Sequence, residues 1–191
     1  MRVHKVAVRG EEYAVAVAGI RLPRPVSVEE LLRDAKSVGE STGAVIALVR
    51  PDAVATEVHC VAAAKYALRS FAAGTNVARD LGMEALLYMS GTRQIRDALR
   101  LVGLPSESLA LVAVAISRSE EAAREAVARL AELSGGELDE GLLEVGPEKA
   151  ATLMRAFSIS EGELSATVAR SREEALVKCV LSRMALLHLR K

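Results

Sequence analysis

An α+β fold with a mixed or antiparallel sheet and a helical C-terminal part is predicted by two features of the chain. Apolar stretches of strand length recur between turn signals up to about residue 145, and everything from Gly146 onward reads as helix. No repeat, low-complexity tract or linker interrupts the 191 residues, so residues 1–191 read as a single domain.

The elements follow in order. Val3–Val8 and the longer run Tyr13–Ile20 are separated by Gly10-Glu11, the pattern of a β-hairpin. Pro23 and Pro25 close that strand region. Ser27-Val-Glu-Glu30 is a capping box that opens a helix to about Val38, stopped by Gly39. Ala44–Val49 is a continuous apolar run ending at Pro51, which predicts a central strand buried on both faces. The next helix spans Thr56 to Ala73, with Gly74 ending it. At about 100° per residue, Cys60, Val61, Ala64, Leu68 and Phe71 share a core face. His59, Ala62, Ala63, Tyr66 and Ser70 fall on a second face, flanked by Lys65 and Arg69. Its alanines make a flat floor, suited either to close packing by another helix or to an approaching ligand. Thr75 to Leu81 reads as a short helix carrying Arg79.

Leu81–Ile95 is the stretch on which a functional reading centres. It predicts a short strand, a tight Ser90-Gly91-Thr92 turn and a helix opening with Arg93 and Gln94. Such a turn frees backbone N–H groups beside a cation, a place to hold an anion or a nucleic-acid backbone. That helix stops at Gly103. Leu109–Ile116 is the clearest strand, and Ser117-Arg-Ser-Glu120 caps a helix running to about Leu133. Gly135-Gly136 is a turn, and Glu137–Val145 is an acidic edge-strand candidate. Gly146-Pro147 opens a helix to Phe157, with Pro at its first position. Ser160 to about Arg170 is a short helix, and Ser171-Arg-Glu-Glu174 caps the last helix, to about His188. That helix is apolar nearly all round, so it should be covered on two sides, the second by more core or by a partner protein.

Composition excludes several classes. Apolar residues make up 51% of the chain, which excludes disorder, and the formal net charge is zero, so a nucleic-acid site must be a local patch. Cys60 and Cys179 are too few for a disulfide framework or a cysteine zinc site. His4, His59 and His188 lack metal-ligand spacing. No signal-peptide run or membrane-length apolar segment occurs, and the expectation is a cytoplasmic protein without a membrane partner. The phosphate-binding, nucleotide-binding, serine-nucleophile and metalloprotease motifs are absent, so the expectation is a binding protein with no cofactor and no catalysis of its own. Lys65, Arg69, Arg79 and Arg93, interleaved with Tyr66 and Tyr88, suit single-stranded nucleic acid, whose unstacked bases accept an aromatic platform. Ordinary strand-to-helix turn chemistry accounts equally for Ser90-Gly91-Thr92.

These residues also carry a resemblance. His59, Ala63-Ala-Lys65, Ala67, Phe71, Gly74-Thr-Asn76-Val-Ala-Arg79, Leu86-Leu-Tyr88-Met-Ser-Gly-Thr-Arg-Gln-Ile95 and Arg183-Met-Ala-Leu-Leu187 resemble the small kinase-binding, PRPK-binding-like subunit of the KEOPS (EKC) complex. The resemblance covers most of the chain and is strongest from His59 to Leu99. It implies a non-catalytic subunit that binds and stimulates a small atypical protein kinase/ATPase. Through that kinase it would serve the threonylcarbamoyl-transferase subunit, which modifies adenosine beside the tRNA anticodon. It also implies tRNA recruitment through the single-stranded CCA end; the alternative is a kinase-docking regulator that does not touch RNA. The expected RNA-binding residues are His59, Lys65, Tyr66, Arg69, Arg79, Ser90, Gly91, Thr92, Arg93 and Gln94. The expected kinase-binding residues are Val177, Val180, Leu181 and Met184 on the last helix.

Overall fold

Two long central strands organise the molecule, whose computed structural model describes residues 1–189. Strand β1 (Arg2–Val8) pairs antiparallel with β2 (Glu11–Ser27) across the Arg9-Gly10 turn. β2 in turn pairs with β4 (Glu107–Ser117), and β4 with β3 (Val45–Val49), giving the order β1-β2-β4-β3, all antiparallel. The two-residue β5 (Glu137–Leu138) joins β2 farther along, at Ile20 and Arg21. The fold class is therefore α+β with an antiparallel sheet. The acidic 137–145 segment supplies only this short strand and a 3-10 turn at Glu140–Leu143.

Alternation along the strands builds one core on each face of the sheet. Val15, Val17, Val112, Val114 and Ile116 face one side, with Ala47 and Val49 from β3. They pack under α2 (Glu57–Ala73), α3 (Leu81–Ser90) and α8 (Arg172–Leu189). Ala14, Ala16, Ala18, Ala113 and Ala115 face the other side, where α1 (Val28–Thr42) and α5 (Glu120–Leu133) lie on them. The remaining helices are α4 (Ile95–Val102), α6 (Pro147–Ala156) and α7 (Glu161–Ala166). Helices α6 and α7 form a smaller apolar cluster with the first half of α8.

The hairpin, the strand at 109–116, and the helices at 28, 57, 120, 147, 161 and 172 lie where the sequence places them. Ser27, Ser160 and Ser171 each accept the backbone N–H three residues on, at 3.1–3.2 Å. For α5 the cap is Ser119 rather than Ser117, accepting from Ala122 at 3.2 Å.

Other expectations are corrected. Pro23 and Pro25 do not end β2. Between the pairs Arg21–Ala110 and Val26–Ser108, residues 22–25 bulge against Leu109, so neither proline is asked for a ladder N–H. α1 runs through Gly39 to Thr42, because Gly39 is needed for close approach: a Cβ there would lie 2.7 Å from the Ala44 carbonyl oxygen. β3 is an edge strand rather than a central one. It reads as buried because α3 lies beside it, with Gly82 against the Ile46 carbonyl. Residues 75–80 form no helix.

The largest correction falls on residues 81–90, which are helical and not a strand. Asp80 caps α3, its Oδ1 accepting the Met83 N–H at 2.8 Å. From Glu84 to Ser90 every residue is buried, so no polar face betrays the helical period, and a continuous apolar run is ambiguous between helix and buried strand.

Candidate functional site

Changing that one element reverses the polarity of the Ser90-Gly91-Thr92 turn. The turn is the C-terminal cap of α3. Gly91 takes the left-handed conformation (φ +67°), its N–H bonds to the Tyr88 carbonyl at 3.0 Å, and the Thr92 N–H bonds to Leu87 at 3.3 Å. Those are the bonds of a helix stop, and they consume the N–H groups expected to meet an anion. A helix C-terminus also carries partial negative charge, the wrong pole for a phosphate. Ser90 is buried, its hydroxyl bonded to the Leu87 carbonyl at 2.9 Å, and Thr92 Oγ1 accepts from the Gln94 N–H at 3.2 Å. The favourable pole lies just beyond, at the start of α4, where Arg93, Gln94 and Arg96 are exposed and no side chain caps the helix.

His59 is also withdrawn from solvent. It is fully buried on α2; its Nδ1 accepts the Ala55 N–H at 3.3 Å, and its Nε2 donates to the Met89 carbonyl at 2.9 Å. Burial pushes its pKa down to about 4, outweighing the Met89 hydrogen bond, so the ring is neutral. His59 ties α2 to α3; with both nitrogens engaged inside the protein, it does not reach a ligand. The second face of α2 is thus a helix-packing face, and Ala63 and Ser70 are buried with it.

What reaches the surface is a smaller group. Tyr66 is half buried and stacks on Tyr88, with ring centroids 5.4 Å apart and planes 19° from parallel. The Arg69 guanidinium lies 5.9 Å from the Tyr66 ring centre, and His188 of α8 lies 4.8 Å away on centroids. Tyr88 is itself buried and joins Ser70 at 2.7 Å and His188 at 3.0 Å, a polar seam between α2, α3 and α8. Lys65, beside Tyr66, has no carboxylate within ion-pair distance among the described residues. Gly91 faces α8, where a Cβ would lie 3.5 Å from Arg183 Cβ. Arg183 is clamped by both Glu163 oxygens at 2.8 Å and bonded to the Phe157 carbonyl at 3.2 Å.

Tyr66, with Arg69 over its ring, therefore meets α8 at His188, and Gly91 meets α8 at Arg183; Lys65 is the neighbour of Tyr66 on α2, and Arg93 and Gln94 follow Gly91 in the chain. Arg79 stands at the opposite end of α3, about 15 Å along its axis at 1.5 Å per residue, and is not part of the group.

On α8 the four expected contact residues divide. Val180 and Met184 are buried in separate cores, at 0% and 1% exposure, while Val177 and Leu181 are half buried. The side of α8 left open carries Leu181, Ala185, Leu186 (44% exposed) and Leu189 (80% exposed). A groove of about 300 Å³ between Ala62 and Tyr66 of α2 and Leu181, Ser182, Met184 and Ala185 of α8 borders this stripe. Leu189 was not singled out from the sequence, because the apolar residues of α8 circle the helix and give no facing direction.

A family model described as kinase binding protein CGI-121 matches residues 27–188, from the start of α1 nearly to the end of α8. The chain belongs to the CGI-121 family. Regulatory protein Cgi121 of Methanocaldococcus jannaschii is similar to it, with 30% identity over 112 residues, 59% of this chain and 69% of that protein. In this CGI-121 family member, the matched span contains α2, α3, α4 and α8, and so the whole surface described above; β1 and most of β2 precede it. Among the described residues, no group of three or more His, Cys, Asp or Glu side chains could hold a metal ion, and no helix is long and apolar enough to cross a membrane.

Proposed function

We propose that the protein is a non-catalytic regulatory subunit of a KEOPS-type tRNA-modifying assembly, docking a small atypical protein kinase/ATPase on the open side of α8. The observation that carries this reading is the stripe Leu181–Ala185–Leu186–Leu189, bordered by the Tyr66 groove, in a member of a family described as kinase-binding. A helix that is core on one side and keeps exposed leucines on its open side, here beside Lys178 and Ser182, favours a partner surface. The docking residues then become Leu181, Leu186 and Leu189, with Val177 at the margin. Val180 and Met184 support the helix from within.

The same reading gives the protein a tRNA contact at the CCA end. Lys65, Arg69 and Arg93 would neutralise phosphates, Tyr66 would offer a stacking edge, and Gln94 a base or ribose contact. The support is the exposure of Arg69 and Arg93, the half-buried Lys65 beside Tyr66, and the Arg69 guanidinium over the ring of the Tyr66–Tyr88 stack. The kinase would pass this recruitment on to the transferase subunit.

Two variants separate the roles. Leu186→Glu should abolish capture of the kinase in a pull-down while the protein melts cooperatively at an unchanged temperature. Lys65→Glu with Arg93→Glu should abolish binding to intact tRNA, measured across a salt series against tRNA lacking its CCA terminus. Undiminished tRNA binding by the double variant would leave a kinase-docking regulator without RNA contact.

A further inference from the structure

Helices α2 and α8 run side by side in the same direction. Val58 of α2 and Val177 of α8 line one open cavity of about 500 Å³. Farther along both helices, Ala62 and Tyr66 meet Leu181 and Ala185, and the Tyr66 ring lies 4.8 Å from His188. The groove between the helices thus has an apolar floor, and its two ends are unlike. Around the first cavity stand Glu57, Glu140, Glu144, Glu173 and Glu174. Arg2 and the Met1 amino group lie 2.8 and 3.0 Å from Glu57 and Glu140, and Lys178 lies 2.8 Å from Glu174. Among the described residues Glu144 and Glu173 have no cation within ion-pair distance, so this end keeps a negative excess. At the other end are Lys65, Arg69 and Arg9, whose guanidinium holds the Ala72 carbonyl at 2.5 Å. Among the described residues none of these three has a carboxylate within ion-pair distance.

A face with an apolar middle and ends of opposite charge is complementary to itself. We propose that the α2–α8 face is the contact of a homodimer, in which the helices of one copy lie antiparallel to those of the other. The two-fold axis then passes near Ala62 and Leu181, which meet their own counterparts, and the acidic end of each groove comes against the basic end of the other. A parallel arrangement would set acid on acid and base on base. The helix poles make the same choice, since the positive N-termini of α2 and α8 in one copy then lie beside the negative C-termini of the other. From Glu57 to Arg69 the face runs about 18 Å, and it is two helices, about 20 Å, wide. That footprint of roughly 400 Å² falls short of the roughly 800 Å² per partner of a stable interface, so the dimer is weak and its charges decide whether it forms. It covers Lys65, Tyr66 and Leu181, and is therefore a form of the chain without other partners on that face.

The test is sedimentation equilibrium of the full chain, alone, in about 20 mM salt and at up to about 500 µM protein. The mass should rise from one chain toward two, and association should weaken about tenfold in about 0.3 M salt. Glu57→Lys with Glu173→Lys makes both ends basic, and Lys65→Glu with Arg69→Glu makes both acidic. Each double variant should stay monomeric while still melting cooperatively. Mixed in equal amounts, the two should pair at least as tightly as the wild-type chain, because both ends then attract; an unfolded variant could not restore the contact. A wild-type chain that stays monomeric throughout overturns the proposal and leaves the groove to a different protein. A dimer indifferent to salt and to both variants overturns it equally, since its contact lies elsewhere, and so does a mixture of the two folded variants that remains monomeric. Kinase and tRNA are absent from the experiment, so its failure leaves the functional reading above standing.

Discussion

The two faces of the sheet are held in different ways. Under α1 and α5 the contact is apolar and close: Ala14, Ala16, Ala18, Ala113 and Ala115 form the floor, and Leu31, Val38, Val127 and Leu130 fill it. Under α2, α3 and α8 the core is again apolar, but polar groups are buried among these helices. His59, Ser70, Glu84 and Ser90 are all buried there. Glu84 accepts the N–H groups of Val77 and Ala78 at 2.9 Å and so fixes the segment leading into α3, while His59 and Tyr88 bond α2 to its neighbours. Apolar packing is non-directional and sets a distance between layers. Buried hydrogen bonds set an orientation, because an unmade one costs its full desolvation. The layer that needs orientation is the one that presents Tyr66, Arg93 and the open side of α8.

Breaking the alanine face should have the largest effect on stability and the smallest on binding. Leu130→Ala should cost about 2–5 kcal/mol in denaturant unfolding, while kinase capture stays intact under native conditions. The polar face should answer to acid. His59 has its folded pKa at about 4, below its unfolded value near 6.5, so the unfolded chain binds the extra proton between these values. The contribution of neutral His59 is complete above about pH 6.5 and is lost as pH falls toward 4, amounting to about 3 kcal/mol. Unfolding curves between pH 7 and 4 for the wild-type chain and His59→Gln should converge by that amount; parallel curves would mean that His59 does not titrate on unfolding. Ala115→Leu should overpack the close face by about 1–3 kcal/mol, again without moving tRNA binding. Gly91→Ala is the smallest, about 1 kcal/mol from the left-handed conformation, but it lies where α3 meets α8. Its signature should be weakened tRNA binding out of proportion to its effect on melting temperature.

Much of this architecture was legible along the chain. Hairpin, helix caps and the strand at 109–116 are local matters: a serine accepting an N–H three residues on, or a glycine pair between periodic segments, needs nothing distant to decide it. Pro23 and Pro25 show the limit, since whether a proline ends a strand depends on whether the neighbouring strand wants its N–H. The candidate site was legible by residue type more than by geometry. Lys65, Tyr66, Arg69, Arg93 and Gln94 do reach the surface, whereas His59 and Ser90 are spent inside.

The sequence by itself determined the α+β class, the order of most elements and the span that carries the family's pattern, because period and capping act over a few residues. Only the tertiary structure decided that residues 81–90 are a helix, and hence that Ser90-Gly91-Thr92 is the negative pole of one helix lying just before the positive pole of the next. A run buried on every side has no period to read. Tertiary packing likewise chose which side of α8 stays open. The residues of that helix are apolar nearly all round, and only the positions of α2, α3, α6 and α7 around it determine which of them are left uncovered.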